Sequence, residues 1–143
     1  MTLPRAVVID TSVVVAGLLT SDPASPTARV VDAMLAGQIV FLLSEELLAE
    51  YRTVLLRPAI RERHGLRDPE VDALLTEIVH NGVVRAPETS SESAPDRGDQ
   101  HLSDLARTEP GCAIVTGDRE LLAEPPKEAS VLSARELAGR LAS

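Results

Sequence analysis

Aromatic residues are almost missing from this 143-residue chain, which has one Phe (Phe41), one Tyr (Tyr51) and no Trp. Such a chain has no platform for stacking unpaired bases in the manner of RRM and OB folds. Its core has to be built from Val, Leu, Ile and Ala. Lysine is scarcer still: Lys127 is the only one, against thirteen Arg, which thins out Schiff-base and P-loop chemistry. The single Cys112 excludes an internal disulfide and a thiolate metal cluster. Positive charge is short, 14 Lys and Arg against 22 Asp and Glu, for a formal net charge of −8. A domain that grips nucleic acid through a basic groove is ordinarily cationic, so a nucleic-acid role here has to recruit its own cations. The longest run of small and apolar residues, Val13 to Leu19, falls well short of the roughly 20 residues that span a bilayer. The opening Met-Thr-Leu-Pro-Arg lacks the charged-then-apolar pattern of a signal peptide. The expectation is a cytoplasmic protein.

What is present is an ordinary globular balance, 44% hydrophobic and 25% charged, in a length that suits one domain over residues 1–143 with a substantial core. Ala6-Val7-Val8-Ile9 reads as a strand buried on both faces. Ser25-Pro26 opens a helix with the stripe Val30, Val31, Met34 and Leu35, closed by Gly37. Ile39 to Leu43 is a second strand. Ser44 caps a helix with Glu45 and Glu46 in its first turn, and Arg57-Pro58 breaks or kinks it. Asp68-Pro69-Glu70 starts another, carrying Val71, Leu74, Leu75, Ile78 and Val79 and stopped by Asn81-Gly82. Val83-Val84 is a short strand and Ala86 to Arg97 a polar, Pro-punctuated loop. A short helix around Asp99 to Arg107, a strand over Cys112 to Thr116, a helix after Gly117-Asp118, a weak strand over Ala129 to Leu132 and a helix capped by Ser133 complete the chain. Strands alternating with helices predict an α/β fold whose mainly parallel sheet is covered on both faces. Ligands of such sheets bind beyond the carboxyl ends of the strands.

Two acids fall at that edge. Asp10 directly follows the first strand, and Asp118 follows the strand ending in Thr116. Each is equally well read as the cap of the next helix. At about 100° per residue, Asp99 lies toward the apolar face of Leu102, Leu105 and Ala106, whereas Asp104 falls about 140° farther round, toward water. Glu50 flanks the stripe of Leu47, Leu48, Tyr51 and Val54, a position also ordinary for a solvated residue. Four carboxylates converging at one edge would repel one another unless cations intervened, and an oxygen-only ligand set suits Mg²⁺ or Mn²⁺. Among other residues, His101 is read as pointing away from Asp99, and Arg97, Arg107 and Arg119 as surface groups flanking the acidic motifs. The apolar stripes of Leu47 to Leu55 and Val71 to Val79 are read as more than one thin sheet can cover, so that one would face a second subunit.

Val-Val-Ile-Asp10-Thr-Ser12, Leu-Ser44-Glu-Glu-Leu-Leu-Ala-Glu50-Tyr, Gly-Asp99-Gln-His-Leu and Ile-Val-Thr116-Gly-Asp118-Arg-Glu-Leu-Leu resemble, in order and spacing, the successive motifs of the PIN domain family. The resemblance is closest to its VapC-like toxin branch and runs roughly from Ala6 to Leu132. It implies a three-layer α/β/α sandwich with a mainly parallel sheet and a Mg²⁺/Mn²⁺-dependent ribonuclease. It also implies a homodimer held by a cognate antitoxin, with Asp10, Glu50, Asp99 and Asp118 as the acidic, metal-binding cluster. Ser12 and Thr116 would be hydroxyl groups orienting carboxylates or water. The third motif, Asp96-Arg97-Gly98-Asp99, leaves Asp96 as a possible substitute for Asp99. The alternative is a catalytically silent PIN scaffold that binds an antitoxin or RNA. A dehalogenase-type phosphatase would need a second Asp where Ser12 stands.

Overall fold

β1 (Ala6–Ile9), with all four side chains buried, is the centre of the sheet. On one side it pairs in parallel with β4 (Cys112–Val115), in the register Ala6 to Cys112 through Ile9 to Val115, and β4 pairs in parallel with β5 (Ser130–Leu132). On the other side a parallel bridge between Val7 and Phe41 joins β1 to β2 (Leu42–Leu43), which pairs in parallel with β3 (Val83–Val84). The strand order is therefore 3-2-1-4-5. The chain runs outward from β1 in one direction and then returns to its other side, so the switch point of the sheet lies between β1 and β4. This computed structural model describes residues 2–87, 97–126 and 129–141, without the side chains of 97–99.

The helices are α1 (Thr11–Leu19), α2 (Pro26–Leu35), α3 (Glu45–Leu55), α4 (Pro58–His64), α5 (Asp68–Asn81), α6 (Arg97–Ala106), α7 (Arg119–Ala123) and α8 (Ala134–Leu141). They form the outer layers of a three-layer α/β/α fold: α2 packs against α1, α5 and α8, and α6 lies against β1, β2 and β4. The caps read from the sequence are made. The Ser25 hydroxyl accepts the Ala28 amide, Ser44 accepts the Leu47 amide, and Ser133 exchanges bonds with Glu136 in a capping box. Among the described residues no helix is long and apolar enough to cross a membrane.

Two segments to which the sequence reading gave no element are helical. Thr11–Leu19 is a helix despite its Val13-Val14-Val15 run, and the segment after the Arg57-Pro58 break becomes a second short helix, α4. The polar loop lies mostly outside the described residues. Of the two stripes, one of which was expected to face a second subunit, Leu47, Tyr51, Leu55, Val71, Leu75 and Ile78 are buried, with α3 and α5 packed on each other, while Leu48, Val54 and Leu74 are half-buried and Val79 is exposed.

Gly17 sits where α1 and α2 cross. A Cβ there would lie 2.6 Å from the Thr27 carbonyl oxygen and 2.6 Å from a Val31 methyl group, so the helices touch through backbone. Cys112 opens β4 as a core residue, its thiol pushed up to about 11 by burial and, secondarily, by the Glu109 charge. Thiolate being the reactive form, the folded protein should resist iodoacetamide at mildly alkaline pH while the urea-unfolded chain labels within minutes. Equal labelling rates would contradict the burial.

Candidate active site

Parallel register places Asp10 and Thr116 side by side, one residue past the Ile9–Val115 pair. The Asp10 amide donates to the Val115 carbonyl at 2.8 Å, and the Thr116 amide to the Leu132 carbonyl at 3.0 Å. Sheet pairing thus continues to the floor of the site. Asp10 occupies the N-cap position of α1, yet its side chain makes no capping bond. Its Oδ2 instead accepts the Thr116 hydroxyl at 2.7 Å, and the Thr116 oxygen in turn accepts the Asp118 amide at 3.0 Å. Because a carboxylate only accepts, this chain fixes the Thr116 proton on Asp10 and leaves the hydroxyl no other orientation. Thr116 is fully buried.

Asp118 takes the capping role that one of its two sequence readings gave it. Its Oδ1 caps α7, accepting the amides of Glu120 at 2.9 Å and Leu121 at 3.5 Å, while its Oδ2 makes no hydrogen bond among the described residues. Ser12 accepts the Gly117 amide at 3.4 Å, so its hydroxyl meets backbone and not a carboxylate.

Glu50 arrives from α3, and a residue the sequence reading passed over sets its position. The hydroxyl of Tyr51, wholly buried, donates to the Ile9 carbonyl at the end of β1, pinning α3 to the strand that presents Asp10. Burial, and then the charges of Asp10 and Glu50, hold the Tyr51 phenol well above its ordinary range, so it stays a donor. Asp10 and Glu50 line one open cleft of about 770 Å³, together with Thr11, Ser12, Arg57 and Arg63. The Thr11 hydroxyl on its wall is buried and has no hydrogen-bond partner among the described residues.

His101 makes a contact that the sequence reading did not foresee. Its Nε2 lies 3.0 Å from Glu50 Oε2, with the imidazole largely buried between α6 and α3. The relevant neighbour was on another helix and not Asp99. Asp104 corrects the sequence reading. It is 7% exposed instead of facing water, accepts from the Gln100 amide at 2.8 Å and pairs with the Arg107 guanidinium. A helix packed between a sheet and α3 buries more than one stripe. Asp99 lies in the first turn of α6, two residues before His101, which reaches Glu50. Its side chain, and Asp96 altogether, fall outside the described residues. Among the described residues no group of three or more His, Cys, Asp and Glu side chains is drawn together closely enough to hold a metal ion. The structure brings Asp10 and Glu50 to one cleft and connects Asp118 to Asp10 through Thr116.

The family model described as PIN domain matches residues 6–120, which is most of the chain and includes every residue of this constellation. The chain belongs to the PIN domain family. No curated protein matches it. PIN domains are generally nucleases, and the α/β/α architecture with acids at the carboxyl edge of a parallel sheet is that fold. The matched segment of this PIN domain ends inside α7, yet β5 continues the sheet and α8 packs on α2, where the Arg29 guanidinium donates to the Ala138 carbonyl at 3.1 Å.

Proposed function

We propose that this PIN domain is a Mg²⁺- or Mn²⁺-dependent endoribonuclease, the toxin of a toxin–antitoxin pair, with Asp10, Glu50, Asp99 and Asp118 as its metal-binding acids. One observation carries the reading. The Asp10 carboxylate is withheld from capping its own helix and is held by Thr116 at a cleft shared with Glu50. The donor set fits a hard divalent cation. It consists of carboxylate oxygens beside an unpartnered threonine hydroxyl, with the only cysteine buried in β4. Bound there, the ion supplies activation of water and charge neutralisation at a phosphodiester.

The chain's own contribution is orientation. Thr116 fixes the Asp10 rotamer, Asp118 keeps one oxygen for its helix and one for the site, and His101 and Tyr51 set the approach of Glu50. In this reading residues 1–143 form a single PIN-like domain that acts as a cytoplasmic homodimer with a cognate antitoxin. Light scattering on the purified protein at high micromolar concentration tests the dimer.

Like charges gathered without a cation destabilise the fold, and a ligand that binds only the folded state stabilises it, by about 2.7 kcal/mol at a hundredfold excess over Kd. Saturating Mn²⁺ should therefore raise the wild-type melting temperature by several degrees and leave that of Asp10→Asn almost unmoved. An unchanged wild-type melt would remove the metal from the proposal. RNA binding without cleavage in Mn²⁺ would favour the silent scaffold.

A further inference from the structure

The cleft that holds Asp10 and Glu50 is lined by two arginines as well, Arg57 and Arg63, one at the start of α4 and one near its end. Both are exposed. Neighbouring arginines on α3 and α4 are committed: Arg52 pairs with Asp72 at 2.9 Å and Arg61 with Asp68 at 2.8 Å. Arg57 and Arg63 make no ion pair or side-chain hydrogen bond with any described residue, although carboxylates line the same cleft. In a chain of net charge −8, two uncommitted cations beside an acidic site form a surface of two signs. Carboxylates with a divalent ion at one part and guanidinium groups at another are complementary to a polyanion that runs across both.

The remaining wall narrows the class of polyanion. Val15, Leu19, Val54 and Ile60 line it with aliphatic surface, while Phe41 and Tyr51 are fully buried and unavailable for stacking. A cleft of about 770 Å³ is in the range that encloses a drug-sized ligand. It has room for a nucleotide or two of an unpaired strand.

We propose that Arg57 and Arg63 bind backbone phosphates of single-stranded RNA next to the phosphodiester presented to the acids. This rests on the nuclease reading, but its readout is binding. The two residues touch the strand away from the reacting atoms, so they are binding residues and not catalytic ones.

The test is fluorescence polarisation of a labelled 12-nucleotide single-stranded RNA, with Ca²⁺ in place of Mn²⁺, over a series of NaCl concentrations. Each phosphate contact on a single strand contributes about 0.7 to the slope of log K against log salt. Arg57→Gln and Arg63→Gln should each lower that slope by about 0.7 and the double variant by about 1.4. Arg57→Lys should keep it. Arg135→Gln, which removes the same charge from α8 away from the cleft, should leave the slope unchanged. The same RNA annealed to its complement should bind at least ten times more weakly. An unchanged slope in both cleft variants overturns the inference, as does an equal loss in Arg135→Gln, which would mean general charge only. Absence of RNA binding by the wild type overturns it too, and points the cleft toward a protein partner. A wild-type protein that binds through these arginines yet never cuts RNA in Mn²⁺ upholds the track and rejects the nuclease reading, so the two failures are distinguishable.

Discussion

Asp10→Asn should lose Mn²⁺-dependent RNA cleavage by roughly 100-fold or more, the scale expected when a carboxylate ligand of a catalytic ion is removed. The variant keeps shape and volume, and its amide oxygen can still accept the Thr116 hydroxyl that Asp10 accepts at 2.7 Å. Folding should therefore survive, and the metal-free melt should equal or exceed that of the wild type because one repelling charge is gone. Thr116→Val separates charge from orientation. It leaves the carboxylate but removes its holder and strips the Asp118 amide of its acceptor, and a loss of about 10- to 100-fold is expected. The measurement is cleavage of a structured RNA in Mn²⁺, with circular dichroism on each variant. Asp10→Asn retaining near-wild-type activity would sink the assignment of Asp10, whatever Thr116→Val does.

Gly17→Ala should be the most damaging single methyl group in the fold. The added Cβ would meet the Thr27 carbonyl oxygen and a Val31 methyl, both at 2.6 Å, and the first of these is backbone that cannot rotate away. The helices must separate or shift, which for overpacking costs about 1–3 kcal/mol. At this chain length that corresponds to a melting temperature lower by roughly 3–10 °C. Gly139→Ala is the control, since nothing lies within 4 Å of a Cβ at that position. Alanine there should be neutral or mildly stabilising through the better helix propensity. If calorimetry finds Gly17→Ala as stable as the wild type, α1 and α2 do not cross as described. The variant also bears on the site, because α1 begins at the residue after Asp10.

The sequence made the central architecture readable because its cues were local. Short runs of β-branched residues ending in Asp10 and Thr116 announced β1 and β4, and Ser25, Ser44 and Ser133 announced helix starts that the structure caps as expected. What stayed hidden depends on tertiary contact. Val13-Val14-Val15 has strand propensity, and only packing against α2 and α3 makes it helical. The Glu50–His101 contact joins residues 51 apart on different helices, which no helical wheel of either one displays. Asp104 was placed by a wheel that assumed one covered face, while α6 has neighbours on the sheet and on α3. The stripes of α3 and α5 looked excessive for a thin sheet because their mutual packing was not foreseen. Of the candidate site, Asp10 was the most legible, being fixed by the strand end itself. Asp118 carried two readings, and the structure supports its capping role directly.

The bond between Thr116 and Asp10 spans 106 positions of the chain. During synthesis from the N-terminus, β1 and Asp10 leave the ribosome early, while β4 and Thr116 are among the last parts to follow. β1 is the middle strand and cannot complete its pairing until β4 arrives, and such long-range parallel pairing closes slowly. A nascent chain therefore carries Asp10 without its holder for most of translation. The wall of the cleft that Asp10 forms is fixed only once residue 116 has emerged and β4 has paired with β1.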